Sequence, residues 1–158
     1  MFISKNRNEI KIGDFIYTGQ NMGYYDNENI VLSNTSINFG FNNNGNDANQ
    51  GFWIDLTRDI DITNQKEIIL SFYAFDPNTH TILLKLENGT NADVEVSQSV
   101  TSGNANTWQN FTFDFSNAKL SGTNNNINAT GTYRKLVVFI DIGVPTAGIY
   151  LLENITDG

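Results

Sequence analysis

Trp53 and Asp55 stand two residues apart in Gly51-Phe-Trp-Ile-Asp-Leu56, on the parity opposite to Phe52, Ile54 and Leu56. Side chains alternate between faces along a strand, so this run buries three apolar residues and turns an indole and a carboxylate the other way. Thr81-Ile-Leu-Leu-Lys-Leu-Glu87 repeats the arrangement, with Ile82, Leu84 and Leu86 inward and Leu83, Lys85 and Glu87 outward. Across Glu67–Phe75, core positions Ile68, Leu70 and Phe72 send Ser71, Tyr73 and Phe75 to the far side. If these strands are neighbours, one outer face collects Trp53, Asp55, Tyr73, Lys85 and Glu87. Rings interleaved with hydrogen-bonding and charged groups describe a surface that holds something. The chemistry on offer is non-covalent. A flat indole stacks on the C–H face of a pyranose, and carboxylates, amides and ammonium groups meet the hydroxyls in the ring plane.

Each candidate also has a purely structural reading. Trp53 fits ligand contact and packing equally well. Trp108 has the wet parity of its strand, opposite Phe111, Phe113 and Phe115, and packing against a loop is the simpler account. Tyr73 and Phe75 could extend a platform, but an aromatic pair on a strand more often belongs to the core of a second sheet. Tyr24 and Tyr25, in Asn21-Met-Gly-Tyr-Tyr-Asp-Asn27, sit in an apparent loop where packing explains tyrosines less well. Tyr133 and Arg134 precede a strand from which they could reach a groove. Lys85 and Glu87 could form a cross-strand ion pair and nothing more.

Catalysis has little support. The one histidine, His80, falls in the turn Asp76-Pro-Asn-Thr-His80 with no suitable partner nearby in sequence, which disfavours a nucleophilic triad. Glycosidases need two carboxyl groups set to flank one bond. Asp55, Asp59 and Asp61 form a loop cluster in which Asp59 and Asp61 start a turn. No His-Glu-x-x-His run is present. A non-enzyme is the expectation.

At 158 residues, the chain suits one domain spanning 1–158. With no cysteine, disulfides and thiolate metal sites are excluded. The net charge of −8 argues against nucleic acid or an anionic membrane as partner. No stretch approaches the roughly 20 apolar residues of a membrane span.

The elements that must position these residues are strands. Candidates are Glu9–Ile12, Phe15–Thr18, Ile30–Leu32, Ser36–Phe41, Gly51–Leu56, Glu67–Phe75, Thr81–Glu87, Ala92–Ser97, Trp108–Phe115, Lys135–Ile142 and Gly148–Ile155. Asn-, Gly- and Ser-rich turns separate them. Lys135–Ile140 is apolar on both parities after its first residue, which describes a strand covered on both faces. No window keeps a helical period, and a short helical turn near Asn117–Leu120 is the one exception expected. Many short strands with such turns mean an all-β sandwich or barrel.

Several of these motifs also resemble a known family. The run Gly51–Leu56, Asp61-Ile-Thr63, Leu83–Glu87, Thr107–Ser116, Tyr133–Gly143 and Gly148–Ile155 together resemble the β-jelly-roll carbohydrate-binding modules of Bacteroidetes. Those modules are attached to polysaccharide-degrading enzymes and surface glycan-binding proteins. The resemblance covers roughly Gly51 to Ile155 and implies a jelly-roll β-sandwich of two antiparallel sheets with little or no helix. It implies a non-catalytic, monomeric module, excised from a larger protein, that binds a polysaccharide outside the cell or at its surface. The acidic balance favours a neutral, β-glucan-like polymer. The family's structural calcium implies Asp14, in Gly13-Asp-Phe15, and Glu153 as ligands, although Ile16 replaces an acid and Glu153-Asn154 replaces a pair of aspartates. Calcium takes about six to eight oxygens, which backbone carbonyls and Asn amides could complete. A structural or adhesive β-sandwich of a cell-surface or virion assembly is the competing reading.

Overall fold

The computed structural model describes residues 9–12, 15–18, 22–25, 33–34 and 39–157. The strands run, in chain order, β1 (Glu9–Ile12), β2 (Phe15–Thr18), β3 (Met22–Tyr25), β4 (Ser33–Asn34), β5 (Phe39–Asn44), β6 (Gly51–Asp61) and β7 (Glu67–Ala74). They continue with β8 (His80–Gly89), β9 (Val94–Val100), β10 (Gln109–Asp114), β11 (Ala118–Leu120), β12 (Asn126–Ile127), β13 (Thr132–Ile140) and β14 (Ala147–Thr156). A hairpin of β1 and β2 accompanies two larger sheets. One has the order β10-β7-β14-β5-β4 and the other β12-β11-β9-β8-β13-β6-β3. Neighbours are antiparallel throughout, and the whole is a jelly-roll β-sandwich.

The alternation in the sequence explains the core. Phe52, Ile54 and Leu56 of β6, Ile82, Leu84 and Leu86 of β8, and Leu136, Val138 and Ile140 of β13 face inward from the seven-stranded sheet. Ile68, Leu70 and Phe72 of β7, Phe113 of β10 and Tyr150 and Leu152 of β14 meet them from the other sheet; every one of these is 3% exposed or less. Full burial of side chains of this size contributes about 1.5–3 kcal/mol each.

β13 is flanked by β6 and β8 and is buried from Leu136 to Ile140. Its outward residues Val137 and Phe139 join Leu83 in a second, smaller apolar cluster, with Trp53 packed against it. Leu83 therefore points away from the main core, as its parity requires, yet is only 7% exposed. Gly51 makes this cluster possible. It pairs with Phe139, and a Cβ there would come within 2.6 Å of the Phe139 ring, so only glycine leaves room for that ring over β6.

Two local expectations need correction. Tyr24 and Tyr25 are not in a loop: they end β3, which pairs with β6. The helical turn falls at Phe115–Asn117, because Asp114 accepts a hydrogen bond from the Ser116 N–H (2.9 Å) and opens it there. Ala118–Leu120 instead forms β11 against β9. The candidate strand Ile30–Leu32 lies outside the described residues.

Candidate binding face

The register of β6, β13 and β8 builds two rows across the outer face of the seven-stranded sheet. In one, Trp53 stands beside Val137 and Val137 beside Lys85. In the next, Asp55 stands beside Lys135 and Lys135 beside Glu87. Lys85 continues the first row to Glu95 of β9. Four of the residues expected to share a face (Trp53, Asp55, Lys85 and Glu87) are thus brought together by β6 and β8, which flank β13.

Trp53 is half-buried on the outside of the sandwich, resting on Leu83, Val137 and Phe139, and is not sealed between the two sheets. The Lys135 Nζ lies 4.5 Å from the centroid of its ring. Such a cation over an aromatic face contributes about 0.5–1 kcal/mol where water has access. The same Nζ is 3.9 Å from Asp55 Oδ1, an ion pair too long for a hydrogen bond, and that oxygen makes no hydrogen bond. Lys85 Nζ reaches Glu87 Oε1 at 3.1 Å and Asp93 Oδ2 at 4.0 Å. The Lys85–Glu87 pair is therefore real, formed along one strand and not across two.

Lys135 is the residue sequence reasoning missed. It has the outward parity of Val137, and its position opposite both Asp55 and Glu87 follows only from the pairing of distant strands.

Tyr73 is not on this face. β7 pairs with β10 and β14, which places Tyr73 on the outer side of the five-stranded sheet. There its ring meets Trp108 at 5.2 Å and Phe75 at 5.0 Å between centroids. Trp108, expected to pack against a loop, packs on Tyr73 and stays 37% exposed. Tyr24 enters through its backbone register, opposite Phe52, while Gly23 stands opposite Trp53. Tyr133 does not reach a groove: it is buried, and its hydroxyl donates to the Ala92 carbonyl at 2.6 Å. Arg134 Nε pairs with Asp59 Oδ1 at 2.6 Å, an exposed contact. Asp61 does start a turn, accepting from the Thr63 and Asn64 N–H groups.

Of the two expected calcium ligands, Asp14 lies outside the described residues. Glu153 stands on β14 opposite Ser71. Among the described residues no three acidic or histidine side chains converge as a metal site requires.

His80 has two partners where the sequence suggested none. It is buried, with Nδ1 2.7 Å from Asp141 Oδ2 and Nε2 2.8 Å from Asp76 Oδ1. Burial pushes its pKa down, hydrogen bonds to Asp141 and then Asp76 push it up, and the net direction is up. Both ring nitrogens face carboxylates, so neither is left to take a proton from a nucleophile. The constellation ties the loop after β7 to the end of β13. It is a structural clamp.

No protein-family model matches this chain, and no curated protein sequence does. Solved structures do. The fold is similar to part of an agarase, AgWH50C, with a TM-score of 0.63 and 10% identity; the match covers 88% of this chain and 24% of the agarase. This chain therefore spans about a quarter of that protein. It is similar to a family 11 carbohydrate-binding module from Clostridium thermocellum, in complex with a β-1,3-1,4-mixed-linked tetrasaccharide (TM-score 0.56, 15% identity, 85% of this chain and 86% of that one). It is also similar to a family 28 module specific for non-crystalline cellulose (TM-score 0.55, 12% identity, 89% and 88%). At such identities the likeness is one of architecture, and on that point sequence, structure and comparison agree: the chain has the two-sheet β-jelly-roll fold also found in carbohydrate-binding modules.

Proposed function

We propose that this domain is a non-catalytic module that binds a polysaccharide through the Trp53 face of the seven-stranded sheet. The observation that carries the reading is the pair of rows on that face, in which a half-buried indole stands beside Asp55 and against the Lys135 ammonium, with Lys85 beyond Val137 in the same row. The indole supplies contact area for a sugar ring, and the neighbouring carboxylates and ammonium groups orient its hydroxyls. The structures with this fold add support: an agarase, a module in complex with a β-1,3-1,4-mixed-linked tetrasaccharide and a module specific for non-crystalline cellulose.

Exchange of hydroxyl–water for hydroxyl–protein hydrogen bonds returns little net free energy, so affinity is modest. The biological value comes from tethering an attached enzyme or surface protein to a long glycan outside the cell, where effective concentration does the work. Asp55, Glu87, Asp93 and Glu95 outnumber Lys85, Lys119 and Lys135 on this side of the sheet, which favours a neutral polymer of the β-glucan kind over a sulfated or uronic one. Calcium held by Asp14 and Glu153 belongs to the same proposal. Thermal unfolding with calcium and with a chelator tests it, a Tm unchanged between the two being the adverse result.

Affinity electrophoresis of the domain in gels containing mixed-linked β-glucan, laminarin, hydroxyethyl cellulose, agarose or a sulfated polymer tests the main reading. Retardation by a neutral glucan that Trp53→Ala removes, in a variant that still unfolds cooperatively above the temperature of the gel, supports it. Retardation that Trp53→Ala leaves untouched overturns the assignment of the face.

A further inference from the structure

We infer that the five-stranded sheet carries a second glycan-binding surface, an aromatic triad of half-buried Tyr73 and exposed Phe75 and Trp108 that stacks uncharged pyranose rings. This goes beyond the reading of the Trp53 face and stands independently of it. Tyr73 and Phe75 are two apart and share a parity, and Trp108 immediately precedes Gln109, which pairs with Phe72. Tyr73 is the centre of the triad: its ring meets Phe75 at 68° and Trp108 at 56°. Phe75 remains 49% exposed and Trp108 37%. Solvated rings held side by side on a strand and its adjoining loops are expensive to keep without a ligand.

The rings are held in place. The Tyr73 hydroxyl donates to Asn106 Oδ1 at 3.3 Å. The loop leading to Trp108 is fastened to the neighbouring turn by Asn106 N–H to Ala74 O (2.8 Å) and Gly103 N–H to Pro77 O (2.8 Å). Asn106 adopts φ 58°, a left-handed conformation that asparagine tolerates.

The occupant follows from charge and size. In a chain of net charge −8, the three rings and the Asn106 amide bonded to them carry no ionised group. Asp76, next to Phe75, directs its carboxylate to His80 Nε2 and to the Asn78 N–H. A surface of rings and amide suits a neutral, hydroxyl-bearing ligand. The two most exposed rings leave about 200 Å² in solvent, on the scale of a sugar ring or two.

The test compares Phe75→Ala/Trp108→Ala, Trp53→Ala and wild type in gels containing mixed-linked β-glucan, laminarin, hydroxyethyl cellulose, agarose or galactomannan. The expected result is that the double variant loses about five- to tenfold in affinity for at least one polymer, with Tm preserved, and that the loss multiplies with that of Trp53→Ala. A double variant that binds every polymer like wild type overturns the inference, as does a wild type retarded by none. Loss confined to Trp53→Ala overturns this inference alone; loss confined to the double variant overturns the Trp53 reading alone. In Trp53→Phe, Trp108 is the sole indole, so a blue shift of its emission on adding the retarding polymer reads the site directly and without removing its rings. An unshifted emission at saturation counts against it. Sedimentation equilibrium closes the remaining route, since a wild-type dimer abolished in the double variant would give the patch to a second copy of the chain and overturn the proposal.

Discussion

His80 Nδ1 and Asp141 Oδ2 come from positions 61 residues apart and meet at 2.7 Å, while Asp141 Oδ1 accepts the Thr81 N–H at 2.8 Å. Asp141 holds φ 57° to do so. One carboxylate therefore closes β13 and pairs with the histidine that opens β8. The folded state raises the His80 pKa above its ordinary 6.5, so folding favours the protonated ring. The sign follows: this contribution to stability is fully present below about pH 6.5 and is lost as pH rises through the raised folded value. Thermal unfolding from about pH 5 to pH 9 should show Tm falling on the alkaline side, and His80→Gln should flatten that fall. A Tm that rises through this window would contradict the clamp.

Trp53→Ala should separate binding from folding. The ring is half-buried on the outer cluster, so its truncation costs stability about 1–2 kcal/mol, below the about 3–5 kcal/mol expected for Phe72→Ala in the core. Chemical denaturation of both variants checks the order, and calorimetry with the retarding glucan should show at least a tenfold loss for Trp53→Ala alone.

Salt should have little influence on binding. An uncharged polymer offers the charges of Lys85, Lys135, Asp55 and Glu87 nothing to screen except their own pairing, which is short-range. Retardation measured at low and at high sodium chloride should agree within about twofold. A steep fall with salt would indicate an ionic ligand.

Gly51→Val should be more damaging than its strand position suggests. Valine is favoured in strands, but a side chain here meets both the Val138 carbonyl and the Phe139 ring. The expected cost is about 1–3 kcal/mol, visible as a lowered urea midpoint. Phe139→Ala should cost less in the Gly51→Val chain than in the wild type, because it vacates the space the valine needs, and a double-mutant cycle reads that coupling.

Much of the fold is written in side-chain parity. The alternation in Glu67–Ala74, His80–Gly89 and Gln109–Asp114 announced both the strands and their inward faces, because each covers one core with one side. β3 escaped notice because Met22-Gly-Tyr-Tyr25 has no alternation, and its extended form is set by pairing with β6. Sheet membership was the larger gap. Nothing local in Ile69–Tyr73 says that β7 lies between β10 and β14, and on that pairing depends whether Tyr73 accompanies Trp53 or faces the opposite way. For His80 the sequence held half the answer: Asp76, four residues earlier, was in view, and Asp141 was not.

The margins of the two large sheets also bear on how the domain can be used. Among the described residues three outermost strands are short, with β4 and β12 two residues long and β3 four. The fourth, β10, has its Thr112 carbonyl occupied by the Gln98 side-chain amide at 2.7 Å. Unpaired backbone along a sheet margin is what lets copies of a protein zip together into fibrils. In the proposed role, margins this short among the described residues let many copies be crowded along one strand of material, each lying close to the next, without coalescing.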